Sequence, residues 1–193
     1  MVFLQNRVTP PIKQIKSLNI IFLWIQYDKY FLLRIVIVKI LIVCNANVVR
    51  SFMAERVLVS RLKRTGIDKV EVSSAGLLDM HGAPADMTAR QILRENGIED
   101  EGHHSQVVNE SMIGEADLIV TMEMRQLQII GDRYPQAIGK LRILKSYLSE
   151  PDYGKISGDT SGDIKDPYRQ SIFYYRLCFS EISLAMEALV KCI

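Results

Sequence analysis

A cysteine and an arginine six residues apart set the first question. In ILIVCNANVVRS, residues 40–51, Cys44 follows a run of β-branched and aliphatic residues, and Arg50 comes six places later. A buried strand that ends at a thiol and turns tightly into a helix gathers backbone N–H groups at the positive end of the helix dipole. That arrangement cradles an anion. Arg50 adds a planar fork matched to two phosphoryl oxygens, which lysine lacks. Such surroundings suit a cysteine that acts as a nucleophile. The resulting chemistry is nucleophilic attack on a phosphorus that the loop itself holds. Taken alone, C-x5-R is a weak signal, because a buried free cysteine is also an ordinary core residue.

The elements around this segment must bring other groups to it. From residue 39 onward, short apolar runs alternate with amphipathic stretches, the pattern of βαβ units around a parallel sheet. Strands are predicted at 39–43, 69–76, 116–122 and 141–145. Helices are predicted at 52–65, closed by Gly66, at 87–95, at 124–134 ahead of Pro135, and at 172–190. The fold class read from this is α/β, a doubly wound four-stranded parallel sheet with helices on both faces and a phosphate-binding loop after the first strand. Such sheets bind ligands at the carboxyl ends of their strands, so the loops after residues 43, 74, 122 and 145 are expected to converge.

Composition narrows the function further. The 193 residues carry 24 Lys and Arg against 22 Asp and Glu, net +2, with no basic stripe of the kind duplex nucleic acid requires. Three cysteines, Cys44, Cys178 and Cys192, form neither a disulfide framework nor a zinc-like cluster, which fits a reducing, cytoplasmic compartment. Residues 1–38 read as an N-terminal extension outside the core. Pro10 and Pro11 break any early element, and Asp28, Lys29, Arg34 and Lys39 interrupt the apolar stretch from Leu18 to Val43. A stable membrane insertion is not expected from so interrupted a run. The domain that carries the chemistry is expected at 39–193.

Three further segments follow in order: SSAG at 73–76, GAPAD at 82–86 and DPYRQS at 166–171. With VCNANVVRS and ADLIVTME at 116–123, they make the chain resemble the low-molecular-weight protein tyrosine phosphatases over residues 39–193. The likeness is to the bacterial branch associated with tyrosine kinases of capsule and exopolysaccharide export. It implies hydrolysis of phosphotyrosine through a phosphocysteine, with no metal or organic cofactor, and a phosphotyrosine protein such as a bacterial tyrosine kinase as partner. It further implies roles for particular residues. Cys44 is the nucleophile, Arg50 the phosphoryl ligand, Ser51 a donor to the thiolate, and Asp166 the proton donor that later activates water. Asn45, Ala46, Asn47, Val48 and Val49 form the loop around the phosphoryl group, Ser74 and His103 brace Asn47, and Tyr168 flanks the substrate ring.

The chain departs from the family pattern in three places. Val49 replaces a second loop cysteine, Phe52 stands where proline usually opens the helix, and Leu77, Leu78 and Met80 occupy the place of an aromatic wall. Asp152, Asp159 and Asp163 are neighbouring carboxylates in the same polar stretch as Asp166. Only Asp166 is fixed by a following proline and lies beside an aromatic residue. Tyr174 and Tyr175 read as packing residues, and Cys178 and Cys192 as inert thiols. Competing functions are a thiol-dependent arsenate reductase on the same fold and a module that binds phosphotyrosine without turnover. The first needs two more cysteines in mid-chain, and the interval from Ala54 to Leu177 contains none.

Overall fold

The structure, a computed structural model, describes residues 37–148 and 162–193. The reading of the N-terminal extension therefore falls almost wholly outside the described residues, as do Asp152 and Asp159. Four parallel strands, β1 (Val38–Cys44), β2 (Val70–Gly76), β3 (Leu118–Thr121) and β4 (Leu141–Ile143), lie in the order β2-β1-β3-β4. Between and after them run α1 (Arg50–Thr65), α2 (Met87–Glu95), α3 (Glu110–Glu115), α4 (Met124–Arg133) and α5 (Ile172–Val190).

The period-2 geometry of β1 divides the core between two faces. Ile40, Ile42 and Cys44 pack with Val57 and Leu58 of α1, Ile92 of α2, and Ile182 and Met186 of α5. Leu41 and Val43 face the other way, onto Ile113 of α3 and Ile130 of α4. A strand covered on both faces has no polar side to alternate, which is why ILIV, residues 40–43, reads as one unbroken apolar run. Each such side chain, fully buried, contributes roughly 1.5–3 kcal/mol. Gly66 closes α1 at φ 69°, where its hydrogen in place of Cβ removes the steric penalty.

Several element boundaries differ from the sequence reading, each for a local reason. Cys44 pairs in register with Gly76 and is the last residue of β1 rather than the first of the loop. Arg50 already belongs to α1. The fourth strand stops at Ile143, because Leu144 and Lys145 turn inward in a 3-10 segment, Leu144–Tyr147, and are buried. There the Lys145 ammonium lies 3.0 Å from the Glu181 carboxylate of α5. The six-residue α3 escaped the periodicity, being too short to show an amphipathic repeat.

β2 ends against the loop that follows β1. The Leu77 N–H donates to the Cys44 carbonyl at 3.0 Å, and the Leu78 N–H to the Asn45 carbonyl at 2.8 Å. Gly76 sits so close that a Cβ built there would lie 2.8 Å from the Asn45 oxygen and 3.1 Å from the Asn47 nitrogen. These obstacles are backbone atoms, so the loop itself would have to move. Gly76→Ala is expected to destabilise the protein by about 1–3 kcal/mol and to weaken binding of orthovanadate. Thermal unfolding and vanadate titration check this, and a variant unchanged in both would show that the close approach is not a constraint.

Candidate active site

The loop from Cys44 to Arg50 turns on Asn47, a fully buried residue in left-handed backbone at φ 56°. Its N–H points at the Cys44 Sγ, 3.3 Å away. Its amide orientation is fixed because the Oδ1 accepts the Gln106 N–H at 3.0 Å. The Nδ2 is left to donate to Ser51 Oγ at 2.9 Å and to Ser74 Oγ at 2.8 Å. Ser51, with its oxygen occupied as an acceptor, has its own hydrogen free for the Cys44 Sγ at 3.0 Å or, less closely, for the Ala75 carbonyl at 3.4 Å. Ser74 passes its hydrogen on to the Glu55 carboxylate. The thiol thus receives two donors at the end of a chain of bonds that reaches β2 and α1.

His103 braces the same residue from the other side. The Asn47 carbonyl can only accept, so the Nε2 of His103, 2.6 Å away, carries the hydrogen. Phe52, in the first turn of α1, is fully buried and tilts its ring against His103 at 4.6 Å between centroids. Burial holds the His103 imidazolium below its ordinary range, against the opposing pull of the Asn47 carbonyl and Glu55.

Arg50 lies wholly out of solvent. Its Nη1 donates to the Glu123 carboxylate and, at 2.9 Å, to the Ile164 carbonyl. Its Nη2 donates to Asp166 Oδ2 at 2.6 Å, while Nε has no hydrogen-bond partner. Burial disfavours the charge, but Asp166, Cys44 and Glu123 outweigh it and hold the guanidinium above its ordinary pKa.

The stretch carrying Asp166 is anchored at each step. The Asp163 carbonyl accepts the Lys145 ammonium at 3.2 Å, and Asp163 Oδ1 accepts the Met124 N–H at 2.8 Å. The Ile164 N–H donates to the Met122 carbonyl at 2.8 Å. Asp166 Oδ1 accepts the Tyr168 N–H at 3.1 Å, and the Tyr168 ring, 45% exposed, carries the Arg169 guanidinium 5.3 Å above it.

A protein-family model, described as low molecular weight phosphotyrosine protein phosphatase, matches residues 39–193. The chain belongs to that family. It is 31% identical over 153 residues to a protein-arginine-phosphatase of Geobacillus stearothermophilus, covering 79% of this chain and 94% of the relative. It is 32% identical over 151 residues to a probable low molecular weight protein-tyrosine-phosphatase, EpsP, of Ralstonia nicotianae, covering 78% and 92%. Among solved structures it superposes on Vibrio vulnificus Wzb in complex with benzylphosphonate with a TM-score of 0.68 at 31% identity, covering 81% of this chain and 99% of that one.

Of the residues singled out from the sequence of this low molecular weight phosphatase, the structure gathers Cys44, Asn47, Arg50, Ser51, Ser74, His103 and Asp166 around one loop. Asn45 and Ala46 are partly exposed at its rim, and Val48 and Val49 are buried beneath it. Tyr175 is a buried packing residue as expected, but Tyr174 is 49% exposed, with its ring edge-on to Phe173 at 5.5 Å, so the packing role does not extend to it. Glu123, Gln106, Gln126 and Glu55 were missed. Glu123 stands in the ADLIVTME segment that helped mark the family, yet its partner lies 73 residues away and no spacing announces it. Among the described residues no group of three or more His, Cys, Asp and Glu could hold a metal ion, and no helix is long and apolar enough to cross a membrane.

The depressed His103 has a consequence for stability. An unfolded chain takes up a proton there near pH 6.5, whereas the folded chain keeps the ring neutral to lower pH. Stability is therefore undiminished above that value and declines as pH falls from about 6.5 through the lower folded value. Replacing the ring by His103→Gln should shrink the loss of thermal midpoint between about pH 7.5 and about pH 5.5 relative to the wild type. Equal losses in the two proteins would show that His103 carries none of the dependence.

Proposed function

We propose that the chain hydrolyses phosphotyrosine in proteins through a phosphocysteine, with Cys44, Arg50 and Asp166 as catalytic residues. The observation that carries this reading is the meeting of a strand-end thiol, a buried guanidinium with an unpartnered Nε–H, and a carboxylate on that same guanidinium. The Cys44 sulfur attacks phosphorus, the P–O bond to tyrosine breaks, and a proton from Asp166 goes to the leaving phenolate oxygen. Water then attacks phosphorus and yields its proton to Asp166. The S–P bond breaks, and the thiolate leaves with inorganic phosphate in the site. Throughout, Ser51 and the Asn47 N–H stabilise the sulfur when it carries charge, and the Nε and Nη2 edge of Arg50 takes two phosphoryl oxygens. Residues 39–193 form the catalytic domain, with 1–38 an extension to it. The substrate is a bacterial tyrosine kinase or another exopolysaccharide export protein, encountered in the cytoplasm.

Hydrolysis of phosphoarginine is the second reading, favoured by the protein-arginine-phosphatase that covers 79% of the chain. The two leaving groups differ in charge, since arginine departs as a cation and tyrosine as a neutral phenol. Arg169, exposed and stacked on Tyr168 beside Asp166, places a cation at the mouth that repels a departing guanidinium and leaves an aromatic face for a phenol ring. The benzylphosphonate held by Vibrio vulnificus Wzb likewise joins an aromatic ring to a phosphoryl-like group. Turnover of one peptide carrying phosphotyrosine and of its counterpart carrying phosphoarginine separates the readings. The tyrosine peptide is expected to be the faster by a factor of about ten or more, the lower end of the discrimination that a single difference in pocket contacts supplies. The reverse order would move the assignment to phosphoarginine.

The proton donor can be tested separately. Asp163 Oδ1 holds the Met124 N–H, whereas Asp166 is the carboxylate on Arg50 Nη2, and it is Asp166 that is proposed to reach the leaving oxygen. Asp166→Ala should slow turnover of phosphotyrosine by about 10²-fold to 10⁴-fold, and Asp163→Ala by far less. The Asp166→Ala loss should shrink for aryl phosphates with very acidic phenols, which leave without a proton. A loss equal across all leaving groups would remove Asp166 from that role.

A further inference from the structure

Arg50 is met by two carboxylates, and the reaction proposed above can use only one of them as proton donor. Asp166 has to serve the leaving-group oxygen, and while it does so it cannot also hold Arg50 Nη2. Phosphate recognition needs that same nitrogen. What then keeps the guanidinium in place is the pair of acceptors on Nη1, the Glu123 carboxylate and the Ile164 carbonyl. The guanidinium is rigid and planar, so fixing Nη1 fixes the direction of the opposite edge, where Nη2 and the unpartnered Nε can take two phosphoryl oxygens together.

We propose that Glu123 is the positioning residue of Arg50, and that Gln126 locks it to the phosphate-binding loop. Gln126 is 1% exposed, and its Nε2 donates to Glu123 Oε1 and to Asn45 Oδ1, both at 3.1 Å. Its own oxygen is fixed by the Met122 N–H at 3.0 Å. One buried amide therefore links the end of β3, the carboxylate on Arg50 and Asn45 of the loop. An anion at this place has a cost, because it repels the dianionic phosphoryl group. Its benefit is orientation of the fork, which is felt most where the phosphoryl oxygens spread in the transition state.

This inference rests on cysteine-based phosphoryl transfer, and its test separates the two. Turnover of p-nitrophenyl phosphate and calorimetric binding of orthovanadate are measured for the wild type, Glu123→Ala and Glu123→Gln. Each is also measured in an Arg50→Lys background. Glu123→Ala is expected to lower kcat by about 10²-fold while KM moves by less than about threefold, since the interaction belongs to the transition state. Vanadate, which mimics that state, should bind about tenfold or more weakly. Glu123→Gln keeps an acceptor for Nη1 and removes the repulsion. It should recover about tenfold or more of the lost kcat and bind vanadate no more weakly than the wild type. In the Arg50→Lys background the fork is gone, so adding Glu123→Ala should change kcat by less than about twofold. A Glu123→Ala loss of the same size in both backgrounds, a kcat within about twofold of the wild type, or a glutamine no better than alanine would overturn the proposal. A wild type without turnover would reject the phosphatase reading alone. In that case the vanadate affinities still decide, with weakening by alanine and not by glutamine supporting Glu123 and equal affinities overturning it.

Discussion

The site depends on one buried residue held in unfavourable backbone. Asn47 at φ 56° sits where a non-glycine residue is strained, a conformation that costs of order 1–3 kcal/mol. Asparagine tolerates it better than other side chains, yet glycine would be freer still. What glycine lacks is the amide. Here that amide meets Gln106, Ser51 and Ser74 in well-formed bonds, while the carbonyl takes His103 and the N–H reaches the Cys44 sulfur. Hydrogen bonds of this kind contribute about 0.5–1.5 kcal/mol each, so several together offset the strain. The left-handed turn aims the N–H inward at the sulfur, and the bonds make that turn the stable one.

The loop's rigidity also depends on elements distant in sequence. β2 supplies Ser74 and the Gly76 backbone that presses on Asn45, and the segment after α2 supplies His103 and Gln106. Lys145 and Glu181 do the corresponding service for the segment that carries Asp166. Both are almost fully buried, and the ammonium joins the carboxylate of α5 to the Asp163 carbonyl. Removing one member of a buried ion pair costs about 3–5 kcal/mol, because the other is left uncompensated. Such a pair contributes little net stability, but it admits few alternative positions for the backbone it holds. It fixes where residues 163–166 return to the sheet edge.

Periodicity made the two longest helices and the central strand legible before any coordinates. Ile172–Val190 and the end of α1 at Gly66 coincide with the reading, because a long apolar stripe and a left-handed cap are local signals. The parallel four-stranded sheet and the carboxyl-edge location of the site followed from the βαβ pattern, whereas the order β2-β1-β3-β4 is set by tertiary packing that no local pattern announces. Cys44, Arg50 and Asp166 were legible through short motifs and a family likeness. Glu123 and Gln126 were not, since a carboxylate at a strand end looks like any solvated surface residue until its guanidinium partner is known. The early stop of β4 was hidden for a related reason. Lys145 continues an apolar strand pattern acceptably, and tertiary contacts, with Glu181 and the Asp163 carbonyl among them, hold it in the core.

Charge balance explains why so much of the hidden part is acidic. A guanidinium with no solvent exposure would be costly without anions, since each buried ion loses several kcal/mol of hydration. Glu123 and Asp166 meet that cost on two of its nitrogens, in the positions left when Nε is reserved. A phosphoryl group brings its own negative charge and needs fewer protein anions around Arg50, so its arrival weakens the hold on one carboxylate. The two are not equivalent. Glu123 is tied through Gln126 to β3 and to the loop, whereas Asp166 Oδ1 is held by a single neighbouring N–H of its own segment. The more weakly tethered anion is the one that electrostatic exchange releases, and it is the one placed next to the exposed Tyr168, where a leaving phenol would emerge.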